Sequence, residues 1–215
     1  KIYDSNSSSL IGAIRQAGGI PKYVGIAKDN LASVKDLLVA AMDSDLVISS
    51  AGVSKGDYDM VKQALNESGD LNFWSVRMRP AKPLAFGLLK KDDATTVPLI
   101  GLPGNPVSSL VAFEQFCRPA IRKMLGKSLL IRREMKAILT ESIHNYDGRR
   151  VFARVHLTKV KGAYYANPTG PQGSNILTSM ARANGLAICP EDQSRIDPGQ
   201  IVLVKALDWN EEVIV

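Results

Sequence analysis

Two aspartates in a loop of small residues are the first candidates for chemistry. Asp57 and Asp59 close the stretch DLVISSAGVSKGDYD, residues 45–59, which begins with an apolar run at 46–48. An apolar strand that leads through small residues into a helix places backbone N–H groups beside a phosphate in α/β proteins. Because carboxylates repel phosphate, the aspartates require a counterion or a proton role, and a divalent cation would supply one. The stretch is therefore a candidate for a phosphate and metal site.

A plainer interpretation of the same loop is structural. Gly52 and Gly56 suit a tight turn, and Asp57 suits the N-cap of the following helix. On this loop alone the turn-and-cap interpretation is favoured, so the functional interpretation depends on the other motifs.

Cations on a stiff backbone form the second candidate. In MRPAKP, residues 78–83, each proline fixes its own φ and restrains the residue before it. Arg79 and Lys82 are therefore expected on a rigid segment beside a sheet. The alternative is a solvated basic turn between two strands, but such a turn has no need of prolines around its cations.

The turn PGNPVSS, residues 103–109, is the third candidate. Gly104 permits a sharp turn, Asn105 is a good N-cap, and Pro106 suits the first helical position. The N–H groups at the start of this helix, with Ser108 in its first turn, would bind an anion. A well-capped helix without a ligand is the alternative, and the motif alone favours it.

The elements that must position these motifs alternate between helix and strand up to about residue 127. Helical periodicity and end signals predict helices at 4–18, at 30–43, at about 58–67, and from the PGNPVSS turn to Leu125, the last one kinked or split at Pro119. Apolar runs predict strands at 22–27, 45–48, 72–79, 84–89 and 96–102. This rhythm predicts an α/β domain at residues 1–127, in which helices cover both faces of a mostly parallel sheet and so make three layers.

The pattern changes at Gly126, and strands then dominate. They are predicted at 131–139, 150–160, 162–167, 186–189 and 201–207, with a short helix near 175–183. Residues 128–215 therefore form a second, mainly β domain. Arg154 lies inside one of its strands, where a charge needs a partner or a solvent face. PTGPQGS, residues 168–174, is a polar, glycine-rich loop.

Bulk composition narrows the function classes. The net charge is +6, but the basic residues are scattered and aromatic residues make up only 6%. Nucleic-acid binders show denser basic stripes and aromatic platforms, so a small anionic ligand fits better. No apolar run approaches the ~20 residues of a membrane span. The distant cysteines Cys117 and Cys189 are typical of a reducing cytoplasm. We therefore expect no nucleic-acid partner, no membrane partner and a cytoplasmic location.

The motifs together fit one family. SSAGVSKGDYD, MRPAKPLAFG and GLPGNPVSS, in this order and followed by a β domain with GPQGS, resemble the motifs of the molybdopterin molybdenumtransferases. This is the family of bacterial MoeA and of the E domains of gephyrin and its plant counterpart. The resemblance covers essentially the whole chain. It implies a MogA-like, molybdopterin-binding α/β domain followed by a small, all-β, barrel-like domain.

The resemblance also implies a reaction and its residues. Molybdate is inserted into adenylylated molybdopterin (molybdopterin-AMP) with release of AMP, Mg²⁺ is the expected cation, and the full-length protein is expected to be a homodimer. Asp59 matches the family's critical loop aspartate and Asp57 its acidic neighbour, so both would bind the metal and act in catalysis with Lys82. The groups that match the family's molybdate pocket are Lys82, Pro83, Ser108, Arg154 and Ser174. The other binding residues expected from the matching motifs are Gly52, Ser54, Arg79, Gly104 and Asn105.

The chain also departs from the family's motifs. Ala51 and Ala81 stand where the family usually has glycine, and Arg79 stands where lysine is common, although the two cations are not interchangeable at a tight site. Family members are much longer than these 215 residues. We therefore expect N-terminal domains and the first strand of the α/β domain to be missing, and we expect this chain to bind ligand weakly and to catalyse little by itself.

Two alternative functions stay open. A related nucleotide-binding enzyme, such as a molybdopterin adenylyltransferase, would share the α/β domain, but it lacks the GLPGNPVS turn joined to a C-terminal β domain. A non-enzymatic interaction module, as gephyrin's E domain also is, would not need Asp57, Asp59, Lys82 and Arg154.

Overall fold

Two compact units make up the chain. The computed structural model describes residues 3–52, 63–64, 67–91 and 95–207. The first unit consists of Lys1–Val76 and Ala81–Ser128, and the second of Arg77–Pro80 and Leu129–Val215. The sequence gives no reason to separate Arg77–Pro80 from the first unit, but this segment pairs with a strand of the second. The boundary after residue 127 stays a prediction.

Helices α1 and α2 of the first unit lie where the sequence predicts them. Helix α1 (Ser5–Ala17) begins at Asp4, whose carboxylate accepts a hydrogen bond from an N–H of the first turn. Helix α2 (Leu31–Ala41) begins after Asn30, whose side chain caps it in the same way. The helix predicted at about 58–67 lies mostly outside the described residues.

The sheet of the first unit is mixed where the structure describes it. Its strands are β1 (Val47–Ser50), β2 (Gly69–Ser75), β4 (Pro83–Lys90) and β5 (Thr96–Leu102), whereas β3 (Met78–Arg79) belongs to the second unit. The order is β1-β5-β4-β2. Strand β1 pairs parallel with β5, but β5 with β4 and β4 with β2 are antiparallel. Strands β4 and β5 follow each other in the chain and pair antiparallel, whereas a parallel pair would need a crossover of about a dozen residues or more. The described strands thus differ from the mostly parallel pairing that the rhythm predicts.

Two strand predictions differ from the structure. Residues 22–27, all within the described part of the chain, form no strand. Gly25, in the middle of this segment, has a φ of 114°. A regular β-strand requires a negative φ, so the segment is not extended at this residue. The strand predicted at 72–79 ends at Ser75, and the separate strand β3 follows it.

The long helix at the end of the first unit changes to a π-helical turn just before Pro119, where the sequence predicts a kink or a split. Helices α3 (Pro106–Ala112) and α4 (Arg118–Met124) are joined by a π-helical turn at Phe113–Cys117. Pro119 has no N–H to continue the α-helical ladder. The N–H of Arg118 instead reaches back five residues to the carbonyl of Phe113, which is the π-helical spacing.

Helices cover both faces of this sheet. Leu38 of α2 packs with Leu89 and Leu99 on one face. Helix α1 contacts α3 and α4, and α3 contacts β5. Leu99 and Ile100 point to opposite faces of β5, and they are only 0% and 4% exposed. The three-layer α/β architecture is confirmed.

The second unit is a small barrel-like β structure, as predicted. Its strands include β6 (Glu134–Leu139), β8 (Arg150–Val160), β9 (Ala163–Pro168), β10 (Gly185–Cys189) and β12 (Ile201–Ala206). The sheet order is β10-β12-β6-β9-β8-β3, and β10 also pairs with β8, which closes a ring. Val155, Ala166 and Val204 lie in its core. Two short strands, β7 (Ile143–His144) and β11 (Arg195–Ile196), form a separate pair, and α5 (Leu177–Ala181) is the predicted short helix.

Candidate functional site

Two loops meet at the carboxyl ends of β1 and β5. The parallel register places Ser50 opposite Leu102, and the N–H of Ala51 donates to the Leu102 carbonyl at 3.0 Å. A Cβ placed on Gly104 would lie 3.4 Å from the Cβ of Ala51. The loop after β1 and the loop after β5 are therefore in contact, which is where an α/β sheet places a ligand.

Asn6 links these two loops, and no motif in the sequence points to it. Its Nδ2 donates to the Ser50 hydroxyl at 2.6 Å and to the Gly104 carbonyl at 2.8 Å. The sequence shows Asn6 only as a polar residue in the first turn of a helix. Its partners lie 44 and 98 residues further along the chain, so no local pattern could have identified the contact.

Two alanines of the first unit have a left-handed backbone conformation: Ala51 in the loop after β1, and Ala81 in the loop before β4. The φ angle is 78° at Ala51 and Gly52, and it is 76° at Ala81. Only glycine adopts this region without a steric cost from Cβ. The two alanines that depart from the family's motifs therefore occupy positions whose backbone favours glycine.

The turn before α3 has the predicted form. Asn105 occupies the N-cap position and Pro106 follows it, but the Asn105 side chain makes no capping hydrogen bond to the first turn, which is described in full. The Asn105 carbonyl accepts the Ser109 N–H at 2.8 Å. Ser108 is only 5% exposed, so its hydroxyl lies largely inside the unit. Anion binding at this turn stays a prediction.

Lys82 is an exposed cation directly before β4. Its carbonyl accepts the Val76 N–H at 2.8 Å, which closes the loop, and Pro83 is the first residue of the strand. The Lys82 ammonium contacts no acceptor in the part of the chain that the structure describes. It is therefore available to an anionic ligand, and its role stays a prediction.

The predicted metal site falls on residues that the structure does not describe. Ser54, Asp57 and Asp59 lie outside the described residues. Within the described ranges, no group of three or more His, Cys, Asp or Glu side chains could hold a metal ion. The roles of these three residues stay predictions.

Arg154 is a buried cation in strand β8 of the second unit, and it is 1% exposed. Its Nε donates to the Ser179 hydroxyl at 3.2 Å, and its Nη2 donates to the Gly173 carbonyl at 3.1 Å. No carboxylate pairs with it in residues 3–52, 63–64, 67–91 or 95–207. Burial lowers the pKa of Arg154 to about 10, so the guanidinium stays charged at neutral pH.

The glycine-rich loop after β9 packs against the backbone of Arg154. The Arg154 N–H donates to Gln172 Oε1 at 2.8 Å, and Gln172 Nε2 donates to the carbonyls of Arg154 at 3.2 Å and Gly170 at 2.8 Å. The Gln172 carboxamide thus makes the two hydrogen bonds to the Arg154 backbone that the backbone of a neighbouring strand would make. Ser174 is half-buried in the same loop, and its ligand contact stays a prediction.

Arg79 differs from Arg154 because it has an acidic partner. Its Nη1 lies 3.7 Å from the Asp147 carboxylate, and its Nη2 donates to the His144 carbonyl. Its guanidinium also lies 5.8 Å from the centre of the Tyr146 ring. That ring stacks on His144 with a centroid distance of 5.4 Å and an interplanar angle of 5°.

The two arginines line one cavity within the second unit. Its volume is about 350 Å³, which is within the range of small-ligand sites. The residues that line it include Arg79, Pro80, His144, Tyr146, Arg154 and Gln172. Of the predicted molybdate groups, Arg154 and Ser174 belong to this unit, and Lys82, Pro83 and Ser108 belong to the first. A joint pocket of these residues stays a prediction.

The fold and these loops define a class: an α/β unit with small-residue loops at the carboxyl ends of its strands, followed by a small β barrel. Residues 1–123 match the family described as a probable molybdopterin binding domain, and residues 136–207 match the MoeA C-terminal region (domain IV). The chain belongs to the molybdopterin-binding domain family.

Several curated proteins are similar over most of this chain. Molybdopterin molybdenumtransferase 2 of Mycobacterium tuberculosis is 37% identical over 93% of the chain, which corresponds to 49% of that protein. A molybdopterin molybdenumtransferase of Nostoc sp. is 36% identical over 96% of the chain and 48% of its own length. Gephyrin of Dictyostelium discoideum is 33% identical over 83% of the chain and 28% of its own length. The chain thus spans about half the length of the transferases that it matches.

A solved structure is also similar to this chain. The molybdopterin biosynthesis MoeA protein of Pyrococcus horikosii is 29% identical, with a TM-score of 0.79 over 97% of this chain and 49% of that one.

Two further findings concern the helices and the cysteines of the described residues. None of their helices has the length and apolar character that crossing a membrane requires. Both cysteines, Cys117 and Cys189, are buried and form no disulfide.

Proposed function

We propose that this chain is the part of a molybdopterin molybdenumtransferase that binds adenylylated molybdopterin and molybdate. The full-length enzyme would insert molybdate into the dithiolene of molybdopterin and release AMP. The observation that carries this proposal is Arg154, a buried cation on a cavity wall with no carboxylate partner among the described residues. The relatives named molybdopterin molybdenumtransferase support the choice of reaction.

The donors of Arg154 suit a tetrahedral oxyanion. A guanidinium has five N–H groups, and among the described residues the Arg154 guanidinium donates hydrogen bonds to only two acceptors, from Nε and Nη2. A buried charge needs a counterion, and charge-assisted bonds to an oxyanion are the strong ones. Molybdate, a dianion, would supply both the missing charge and the acceptors. Ser174 is the further donor that we propose in this unit, and the anion-binding roles of Lys82 and Ser108 in the first unit stay predictions.

The first unit would bind the nucleotide part of the substrate. Its two loops, after β1 and after β5, lie at the carboxyl ends of parallel strands, where α/β sheets bind phosphates. Gly52, Ser54 and Gly104 are the proposed contacts. Asp57 and Asp59 would hold Mg²⁺, which supplies charge neutralisation at the pyrophosphate when bound. We further propose a cytoplasmic homodimer as the form of the full-length enzyme.

An adenylyltransferase is less well supported. It would need the first unit alone, whereas the second unit here carries its own cavity and its own buried cation. The match of residues 136–207 to the MoeA C-terminal region points the same way.

The test is equilibrium dialysis of the 215-residue chain against molybdate, with the bound metal quantified by mass spectrometry. We expect weak but saturable binding by the wild type. Arg154→Met should weaken it at least about tenfold, because a charge-assisted bond contributes ~1.5–3 kcal/mol. Arg154→Lys should fall between them, since lysine keeps the charge but not the planar fork.

Arg182→Ala is the matched control. Arg182 is an exposed arginine of the same unit, and its loss should leave the affinity unchanged. Equal affinities of the wild type and Arg154→Met, or no molybdate binding by the wild type at any accessible concentration, would contradict the proposal.

A further inference from the structure

Ser179 and the loop at residues 169–174 contact the edge of the Arg154 guanidinium that carries Nε and Nη2. Ser179 is 2% exposed and belongs to α5. Its hydroxyl proton goes to the Ile176 carbonyl at 2.7 Å, so the oxygen is left as an acceptor. That oxygen receives the Nε–H of Arg154 at 3.2 Å. The direction of the Ser179 hydroxyl is therefore set by the N-cap residue of its own helix and not by the arginine.

Thr169 fixes the position of this acceptor. Its hydroxyl lies 2.7 Å from the Ser179 carbonyl and 3.2 Å from the Arg154 carbonyl, and its N–H donates to the same Arg154 carbonyl at 3.0 Å. The Gln172 carboxamide bonds the N–H and the carbonyl of Arg154 as well. The backbone of Arg154 is thus bound to Thr169 and Gln172, and its guanidinium is bound to Gly173 of the same loop.

A second acceptor completes the arrangement. The Gly173 carbonyl receives an N–H of Nη2 at 3.1 Å, so one edge of the planar guanidinium is fixed at two points. Because hydrogen bonds favour acceptors close to the plane of the guanidinium, two bonds along one edge restrain its rotation and give its remaining N–H groups a preferred direction. Arg154 lines the cavity of this unit.

We infer that Ser179 is a positioning residue, which holds the Arg154 guanidinium in the orientation that binds the anion. Ser179 acts through Arg154 and need not touch the ligand. The relevance to molybdate rests on the proposed function, whereas the restraint on the guanidinium is a property of the chain itself. No sequence motif pointed to Ser179, because its partner lies 25 residues away.

The restraint can be measured without a ligand. In ¹⁵N–¹H spectra of the 215-residue chain, the Arg154 Nε–H signal is the one that Arg154→Lys removes. Its hydrogen exchange should be slow in the wild type, and Ser179→Ala should accelerate it at least about tenfold. Ser179→Thr, which keeps the hydroxyl, should restore slow exchange. Thr178→Ala, at an exposed neighbouring position of the same helix, should have no effect.

Molybdate dialysis of the same variants completes the test. Ser179→Ala should weaken binding about fivefold, with the melting temperature measured in parallel to show that the unit stays folded. If the wild type binds molybdate and Ser179→Ala changes neither the exchange nor the affinity, the inference is wrong and the proposed function stands. If no variant binds molybdate but Ser179→Ala still accelerates the exchange, the proposed function is wrong and the positioning role stands.

Discussion

Ala51 and Ala81 share a left-handed backbone, with φ angles of 78° and 76°. The two residues lie in different candidate loops, one after β1 and one before β4. A left-handed alanine costs about 1–2 kcal/mol, because its Cβ approaches the following carbonyl. Both loops therefore hold strain next to the residues that we propose bind ligand, and such strain is common at functional sites.

Glycine should relieve this strain. Ala51→Gly, at an exposed position, should raise the free energy of unfolding by about 0.5–1 kcal/mol, since the relief exceeds the ~0.4–1 kcal/mol lost through the freer unfolded chain. Ala81→Gly should raise it less, because Ala81 is 5% exposed and its buried methyl group, worth about 0.8 kcal/mol, is lost as well. Urea denaturation measures the change. Ala40→Gly, at an exposed position of α2 with helical backbone, should instead lose about 1 kcal/mol. Equal losses in all three variants would show that the alanines are not strained.

Asn6 should stabilise the first unit through its two long-range bonds. Asn6→Ala removes both neutral hydrogen bonds, each worth about 0.5–1.5 kcal/mol, so the free energy of unfolding should fall by about 1–3 kcal/mol. The control is Asn72→Ala, at an exposed position of β2, which should stay within about 0.5 kcal/mol of the wild type. If denaturant titration gives both variants the same stability, the link between the loops contributes nothing.

Asp147 should make the second unit sensitive to acid. The side chain of Arg149 donates to its carboxylate, and this bond is the main cause that lowers the pKa of Asp147 below its ordinary value. A carboxyl group with a lowered folded-state pKa stabilises the fold at neutral pH, and the stabilisation disappears as the pH falls through that pKa.

The expected result is a stability difference that depends on pH. Asp147→Asn should be less stable than the wild type at pH 7, and the gap should close below the ordinary carboxyl pKa of 3.8. Urea titrations at several pH values measure this gap. Asp192→Asn, at another exposed position of the unit, serves as control and should show no such closing gap. A gap for Asp147→Asn that is constant down to pH 2 would contradict the role of the charge.

The sequence by itself determined the features that depend on neighbouring residues. The strand at 96–102 follows from an uninterrupted apolar run and lies where it was predicted. The turn at Gly104 to Pro106 follows from backbone preferences, and the irregular helix beside Pro119 follows from a missing N–H. These features were predictable because φ preferences and hydrophobic period act over a few residues.

Only the tertiary structure decided which distant groups meet. It joined β3 to the second unit and bonded Asn6 to two loops. It also buried Arg154 against Ser179 and left it without a carboxylate among the described residues. From sequence, Arg154 was a charge in a strand with either a partner or a solvent face, and both outcomes fit the local pattern equally well. The choice depended on barrel closure through β10 and β8, because strand pairing between remote segments sets which face is buried and what lies against it.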